Sequence, residues 1–243
     1  MPYLTIDDRT IYHEVAGSGE PLVLLHGGYC SLEVMRELGD ELSHRFQVFA
    51  PERTGHGRTP DRDGGYTYAG MADETVAYLD ALGIESAHVV GFSDGAVAGL
   101  LVARDHPERV RTLIAISGNL STDAYVADDY PHVVVTPEAH AAVRREFDEL
   151  SPDGPEHWEV VDAKLSALWQ VEPDVPAASL AAIDAPTLVL GGEHDAIRHD
   201  HLELVADSIP RASLAIVPET THMLVRERPR EVAVHVIDFI ASA

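Results

Sequence analysis

The stretch AHVVGFSDGAVAGLLVARD, residues 87–105, constrains this chain more than any other. Ala87 to Phe92 is apolar and rich in β-branched residues, as a buried strand requires, whereas Ala96, Val97, Leu100 and Leu101 recur at helical spacing. The period changes at Ser93. Gly91, Ser93 and Gly95 spell G-x-S-x-G, in which a tight strand-to-helix turn lifts the serine oxygen above a sheet and small neighbours let strand and helix approach. Taken alone, those five residues would also suit an ordinary loop. The readable strand before them and helix after them select the turn that presents a nucleophile.

The rest of the chain supplies the sheet around that turn. Residues 3–6 and 10–15 read as an antiparallel pair turning at Asp7-Asp8 and leaving through Gly17-Ser18-Gly19. Pro21 to Leu25 is a continuous apolar run ending in His26-Gly27-Gly28, where glycines let backbone N–H groups approach a ligand. A helical stripe (Leu32, Met35, Leu38, Leu42), a strand (Gln47 to Ala50), a loop (Pro51 to Thr59) and a second stripe (Val76, Leu79, Leu82) capped by Gly83 follow. After the serine turn come Pro107 as a helix stop and a strand from Thr112 to Ile116. Strict alternation of this kind predicts an α/β fold: a mostly parallel eight-stranded sheet covered by helices on both faces.

The alternation breaks between Asn119 and about Ala185. Ala139, Val143, Phe147 and Leu150 form one apolar stripe and Trp158, Val161, Leu165 and Leu168 another, separated by Ser151-Pro-Asp-Gly-Pro155. Residues 119–185 are therefore expected to be a small helical lid inserted after the sixth strand, and residues 1–118 and 186–243 the core. Its aromatics, Tyr125, Tyr130, Trp158 and Trp169, either line a pocket or pack the lid down. Alternation resumes with a strand from Thr187 to Leu190, the loop Gly191 to Ile197, a helix near 199–208, and a strand from Ser213 to Val217. Past Pro218 to Met223, the last helix carries Val232, Val236, Phe239 and Ile240 on one face.

At 243 residues the chain is long enough for one sizeable domain. Its 41 acidic residues against 17 basic ones give a formal charge of −24, which repels phosphate backbones and anionic headgroups and argues against nucleic-acid or membrane partners. Cys30 is the single cysteine, so no intrachain disulfide can form. The start, MPYLTIDDRT, lacks a basic and an apolar region, and no run approaches the roughly 18 apolar residues of a membrane span, so a cytoplasmic address is the default.

A serine hydroxyl is a poor nucleophile near neutral pH, and it needs a base within reach and a carboxylate to orient that base. In an open parallel sheet such partners sit on loops at the carboxyl ends of strands. Asp195 follows the strand ending at Leu190, with Glu193 and Asp200 as competitors, and His222 follows the strand ending at Val217. The cluster His194, His199, Asp200 and His201 lacks the H-E-x-x-H spacing of a metal site and reads better as a solvated helix start. No metal and no organic cofactor is expected.

The order Ser93, Asp195, His222 is the chain order of α/β-hydrolase triads. With HGG after the third strand, GHGRT after the fourth, GFSDG at the turn, GGEHD after the seventh and THM after the eighth, the chain resembles the α/β-hydrolase superfamily along nearly its whole length. The resemblance implies Ser93 as nucleophile, His222 as general base, Asp195 as orienting acid, and the backbone N–H groups of Gly28 and Asp94 as an oxyanion hole. Gly55 and Gly57 would shape the loop beneath the site, and Cys30 would be a small buried thiol.

Asp94 departs from the commoner hydrophobic residue after the serine. The GFSDG turn is similar to that of valacyclovir hydrolase-like members, whose matching aspartate is associated with the substrate's amino group, although Ala96 stands where that subgroup tends to have a second glycine. Alternatively, Asp94 caps the following helix. Tyr29, Asp94 and Trp169 are the expected substrate contacts. The resemblance thus implies a serine hydrolase of small-molecule esters, thioesters, lactones or activated amides, monomeric or homodimeric, whose activity falls below about pH 6–7 as its base protonates. Carbon–carbon hydrolysis, cofactor-free lyase chemistry and a non-catalytic ligand-binding protein on the same scaffold are the alternatives.

Overall fold

Short apolar runs separated by amphipathic helical stretches fold by stacking the runs side by side and laying the helices over both faces, because each strand's two faces must leave water. The computed structural model, which describes residues 2–126 and 137–243, has this arrangement. The strands are β1 (Tyr3–Ile6), β2 (Arg9–Gly17), β3 (Glu20–Leu25), β4 (Phe46–Pro51), β5 (Ala87–Phe92), β6 (Val110–Ile116), β7 (Thr187–His194) and β8 (Ala212–Thr221). They form one eight-stranded sheet in the order β1-β2-β4-β3-β5-β6-β7-β8. The β1/β2 and β2/β4 pairs are antiparallel and all later pairs parallel.

The register decides where chemistry can assemble. Leu25 pairs with Gly91, Phe92 with Ile116, and Ile116 with Leu190, so β3, β5, β6 and β7 end along one rim. The residues following each strand are thereby gathered at the sheet's carboxyl edge.

The helices are α1 (Arg36–Ser43), α2 (Tyr68–Ala81), α3 (Asp94–Asp105), α4 (Pro137–Leu150), α5 (Trp158–Val171), α6 (His199–Asp207), α7 (Leu224–Glu227) and α8 (Pro229–Ser242). One group, α1 with α7 and α8, packs together, as does α2 with α3. Leu38, Leu42, Leu79, Val232 and Val236 are fully buried, each worth about 1.5–3 kcal/mol relative to exposure. The first apolar stripe begins as a 3₁₀ turn, Leu32–Met35, before α1, and both halves bury their apolar residues. Among the described residues no helix is long and apolar enough to cross a membrane.

Two stretches read as loops are strand. β7 continues through Gly191 and Gly192 to His194, and β8 through Pro218 to Thr221, with His194 paired to Thr221 across a register shift. Glycines, proline and charged side chains carry no strand signal, but each strand end supplies the other's backbone partners, and Glu193 adds a bond from the Glu219 amide (2.8 Å).

Between β6 and β7 the two expected helical stripes appear as α4 and α5. Val143, Phe147, Trp158, Val161, Leu165 and Leu168 are buried, and Arg144 lies over the Trp158 ring at 5.0 Å. Tyr130 falls outside the described residues.

Candidate active site

The turn after β5 is shaped by what cannot fit there. A Cβ on Gly91 would strike the Gly95 carbonyl, and one on Gly95 would strike the Leu25 carbonyl at the end of β3. Ser93 itself has φ 53° and ψ −120°, a backbone state costing a non-glycine residue on the order of 1–3 kcal/mol. Its amide donates to the Ile116 carbonyl (2.8 Å) while its carbonyl accepts from Ala96 (2.8 Å) and Val97 (3.1 Å), so β6 and α3 hold the strained residue from both sides.

Asp195, at the end of β7, and His222, just past β8, meet Ser93 at the rim. His222 Nε2 lies 3.1 Å from Ser93 Oγ, and His222 Nδ1 lies 2.8 Å from Asp195 Oδ1. A carboxylate can only accept, so Nδ1 carries the proton and Nε2 is left to accept from the serine hydroxyl. Asp195 is buried, which by itself would raise its pKa, but His222, Ser117 and the Gly192 amide outweigh burial and hold it below the ordinary carboxylate range. Its competitors lie elsewhere: Glu193 is exposed and bonds Glu219, while exposed Asp200 pairs with Arg198 at 2.9 Å.

The loop after β3 lies against the same place. The Cβ position of Gly27 is 3.1 Å from Ser93 Cβ, and that of Gly28 is 2.6 Å from Asp94 Oδ2 and 2.5 Å from the Trp169 ring. Only glycine leaves this approach open. His26 fixes the loop, donating from Nδ1 to the Gly27 carbonyl (2.8 Å) and accepting the Arg53 amide at Nε2 (3.1 Å). Asp94 opens α3, where first-turn amides have no intrahelical partner.

The capping role considered for Asp94 is not what the structure has. Ser93, the residue before α3, makes no side-chain cap bond, and among the described residues Asp94 Oδ1 accepts from Tyr68 Oη (2.8 Å) and Trp169 Nε1 (3.1 Å). Two large donors held by α2 and α5 outcompete the local amides. Oδ2 is buried with no hydrogen-bond partner among the described residues, and burial, opposed by Arg53, Tyr68 and Trp169, raises this carboxyl above its ordinary value. Tyr29, at φ 58°, stacks on Trp158 (5.0 Å), meets Trp169 edge-on (5.1 Å) and donates to Asp162 (2.6 Å). Tyr29, Asp94 and Trp169 thus form one cluster beside Gly28.

Other singled-out residues take structural places. A Cβ on Gly57 would collide with the buried Glu52 carboxyl and one on Gly55 with Tyr66, as expected of glycines that shape a loop. Cys30 is buried, and burial pushes its thiol up to about 12. His201 accepts the Leu120 amide at 2.9 Å, and His199 Nε2 lies 3.1 Å from the Gly192 carbonyl. Ser117 belongs to no motif in the sequence. Its hydroxyl donates to Asp195 Oδ2 at 2.5 Å, and the available signal was its place directly after β6, beside the strand that carries the acid.

A family model described as Alpha/beta hydrolase family matches residues 22–235. The 2-hydroxymuconate semialdehyde hydrolase of a Pseudomonas species is 31% identical over 260 residues, covering 97% of this chain and 91% of its own. RutD of Azorhizobium caulinodans, provisionally named a carbamate hydrolase, is 28% identical over 247 residues, with 91% of each chain covered. Est816, whose solved structure is described as that of an N-acyl homoserine lactone degrading enzyme, superposes with a TM-score of 0.81 at 27% identity, covering 98% of this chain and 100% of its own.

Proposed function

The chain belongs to the alpha/beta hydrolase family and is a hydrolase, and from that premise we propose that it cleaves a small ester, thioester, lactone or activated amide through an acyl-enzyme on Ser93. The observation that carries this reading is the continuous hydrogen-bonded line from Ser93 Oγ through His222 to Asp195, anchored on a strained turn. A serine held at such a backbone cost points its oxygen outward for a reason.

His222 Nε2 takes the Ser93 proton as Oγ attacks the acyl carbon, and Asp195, remaining ionised, stabilises the imidazolium through Nδ1–H. Charge on the former carbonyl oxygen is met by the Gly28 and Asp94 amides and the positive end of α3, donors of a kind whose individual loss costs about 10²–10³ in rate. The imidazolium returns its proton to the leaving group. Water then attacks the acyl-enzyme with His222 again as base, releasing the acid and restoring Ser93. Relatives are named for carbamate, N-acyl homoserine lactone and semialdehyde substrates, all of them carbonyl compounds, which supports this class.

Two narrower readings follow from particular observations. The unpartnered Asp94 Oδ2 beside Gly28 suits an α-ammonium on the acyl group, since opposite charges near 4 Å gain on the order of 1–4 kcal/mol. The 2-hydroxymuconate semialdehyde hydrolase relative favours carbon–carbon bond hydrolysis as the second reading.

A fluorophosphonate should label the protein stoichiometrically at Ser93, and Ser93→Ala should lose both label and turnover. A panel of p-nitrophenyl esters with and without an α-amino group, run beside 2-hydroxymuconate semialdehyde, separates the readings. Preference for amino esters that disappears in Asp94→Asn supports the ammonium site, and equal use by the wild type removes it. Absence of labelling together with absence of ester turnover would overturn the acyl-enzyme.

A further inference from the structure

Asp195 has four hydrogen-bond partners, and they do not come from the same place. Oδ1 meets His222 Nδ1 (2.8 Å) and accepts the Ile197 amide (3.1 Å), while Oδ2 accepts the Gly192 amide (3.0 Å) and the Ser117 hydroxyl (2.5 Å). Gly192 and Ile197 flank Asp195 in its own segment. Ser117 stands on the neighbouring strand, where its amide donates to the Leu190 carbonyl at 2.8 Å and continues the β6/β7 ladder. We propose that Ser117 is a positioning residue of the same reaction, its hydroxyl tying Asp195 Oδ2 to the end of β6 so that Oδ1 stays turned toward His222. The proposal rests on the reading of Ser93, His222 and Asp195 given above.

Three features carry it beyond an incidental contact. The side chain is buried, 1% exposed, and beside an ionised carboxylate its hydroxyl can only donate, so the direction of the bond is fixed. The backbone of Ser117 has φ 53°, a left-handed conformation that glycine adopts freely and serine does not. A turn needing only that conformation would be met by glycine; serine adds the donor. Finally, a carboxylate with both oxygens engaged cannot rotate without breaking bonds, and a dry site strengthens each of them.

The closing experiment compares Ser117→Gly with Ser117→Ala. Both delete the donor, but glycine relaxes the backbone and alanine keeps it strained. If the hydroxyl positions the acid, both variants lose kcat on a p-nitrophenyl ester by the same factor, about 10- to 100-fold for a charge-assisted hydrogen bond, with KM unchanged, although their thermal midpoints differ. The acid limb of kcat/KM should also move to higher pH in both. The base, His222, sets that limb: with the Ser117 donor gone from Oδ2, more of the Asp195 charge is left to favour the imidazolium, so the base protonates at higher pH. His222 is the titratable group facing Asp195, while His199 of α6 is turned to the Gly192 carbonyl.

Wild-type rate and an unmoved acid limb in either variant would overturn the proposal. So would a defect confined to Ser117→Ala, which assigns Ser117 to the turn alone, or failure of both variants to fold, which makes the hydroxyl a requirement of the fold and not of the reaction. Fluorophosphonate labelling of the wild type keeps the two failures apart. No label at Ser93 sinks the nucleophile reading, whereas a labelled wild type with unimpaired variants sinks only the role of Ser117.

Discussion

Asp94 and Asp195 are both buried carboxyls within one site, and their surroundings push them in opposite directions. Asp195 has donors on both oxygens and a histidine partner, so its anion is held low despite burial. Among the described residues Asp94 has donors on one oxygen only, and burial prevails over Arg53, Tyr68 and Trp169. The consequences for stability have opposite signs. Asp195 stabilises the fold above its ordinary value of 3.8 and loses that contribution as pH falls through its lowered value. Asp94 contributes most when protonated, below 3.8, and the contribution is lost as pH rises through its raised value. Asp94→Asn, similar in shape but without a charge to bury, should therefore lose less stability than the wild type between pH 4 and pH 8. Thermal melts of both proteins at the two pH values measure it, and identical gaps would show that Asp94 does not titrate there. That Ser93, Asp195 and His222 meet at one rim was legible in the sequence because strand ends and loops are, and the sheet does the gathering. The partners of Asp94 were not: Tyr68 and Trp169 lie 26 and 75 positions away, and no local period joins them.

At the scale of elements, the glycines of the serine turn act through what they leave out. Gly95 lies where α3 crosses the end of β3, and its missing side chain is the room the Leu25 carbonyl occupies. Backbone on both sides leaves nothing flexible to yield. Gly95→Ala should destabilise the protein by about 1–3 kcal/mol or more and lower activity with it, because relief requires the turn to shift away from His222. Gly65→Ala provides the contrast, since Gly65 is exposed with nothing within 4 Å of its Cβ position, and the change should stay within about 0.5 kcal/mol. Denaturant midpoints and ester turnover of the two variants test this, and a tolerated Gly95→Ala would mean that the crossing is looser than its geometry. Elements whose side chains carry a period, such as β5, α3 and α8, were readable from sequence. The outer ends of β7 and β8 were not, since Gly191, Gly192 and Pro218 are turn formers by composition, and the ends become strand only by pairing, Gly191 with Ile216, Gly192 with Val217 and His194 with Thr221.

At the scale of the whole molecule, α5 is tied to the core by polar bonds that single substitutions remove, which makes its attachment testable. Helix α5 reaches the core through Asp162 to Tyr29 (2.6 Å), Trp169 to Asp94 (3.1 Å), and the cluster on Asp61, which accepts from Lys164 (2.6 Å), His157 (2.8 Å) and Tyr66 (2.8 Å). Lys164 is the one lysine in a chain of formal charge −24, and it is spent on this contact. An open cleft of about 420 Å³ runs alongside, so solvent reaches the tie from one side. Burial of Asp61 is outweighed by its bonds to Lys164 and His157, and the carboxyl is lowered to about 2. The sign follows directly: the tie is intact above the ordinary value of 3.8 and is lost as pH falls toward 2. Asp61→Asn removes the charge at every pH. It should cost about 1–3 kcal/mol near neutrality, reduced where solvent screens the pair, and should speed proteolytic cleavage between α4 and α5 while leaving fluorophosphonate labelling of Ser93 intact. Limited proteolysis at pH 7 with mapped fragments reads the outcome. Cleavage sites and rates unchanged from the wild type would mean that the buried faces of Trp158, Val161, Leu165 and Leu168 hold α5 by themselves, and that Asp61 is a dispensable tie.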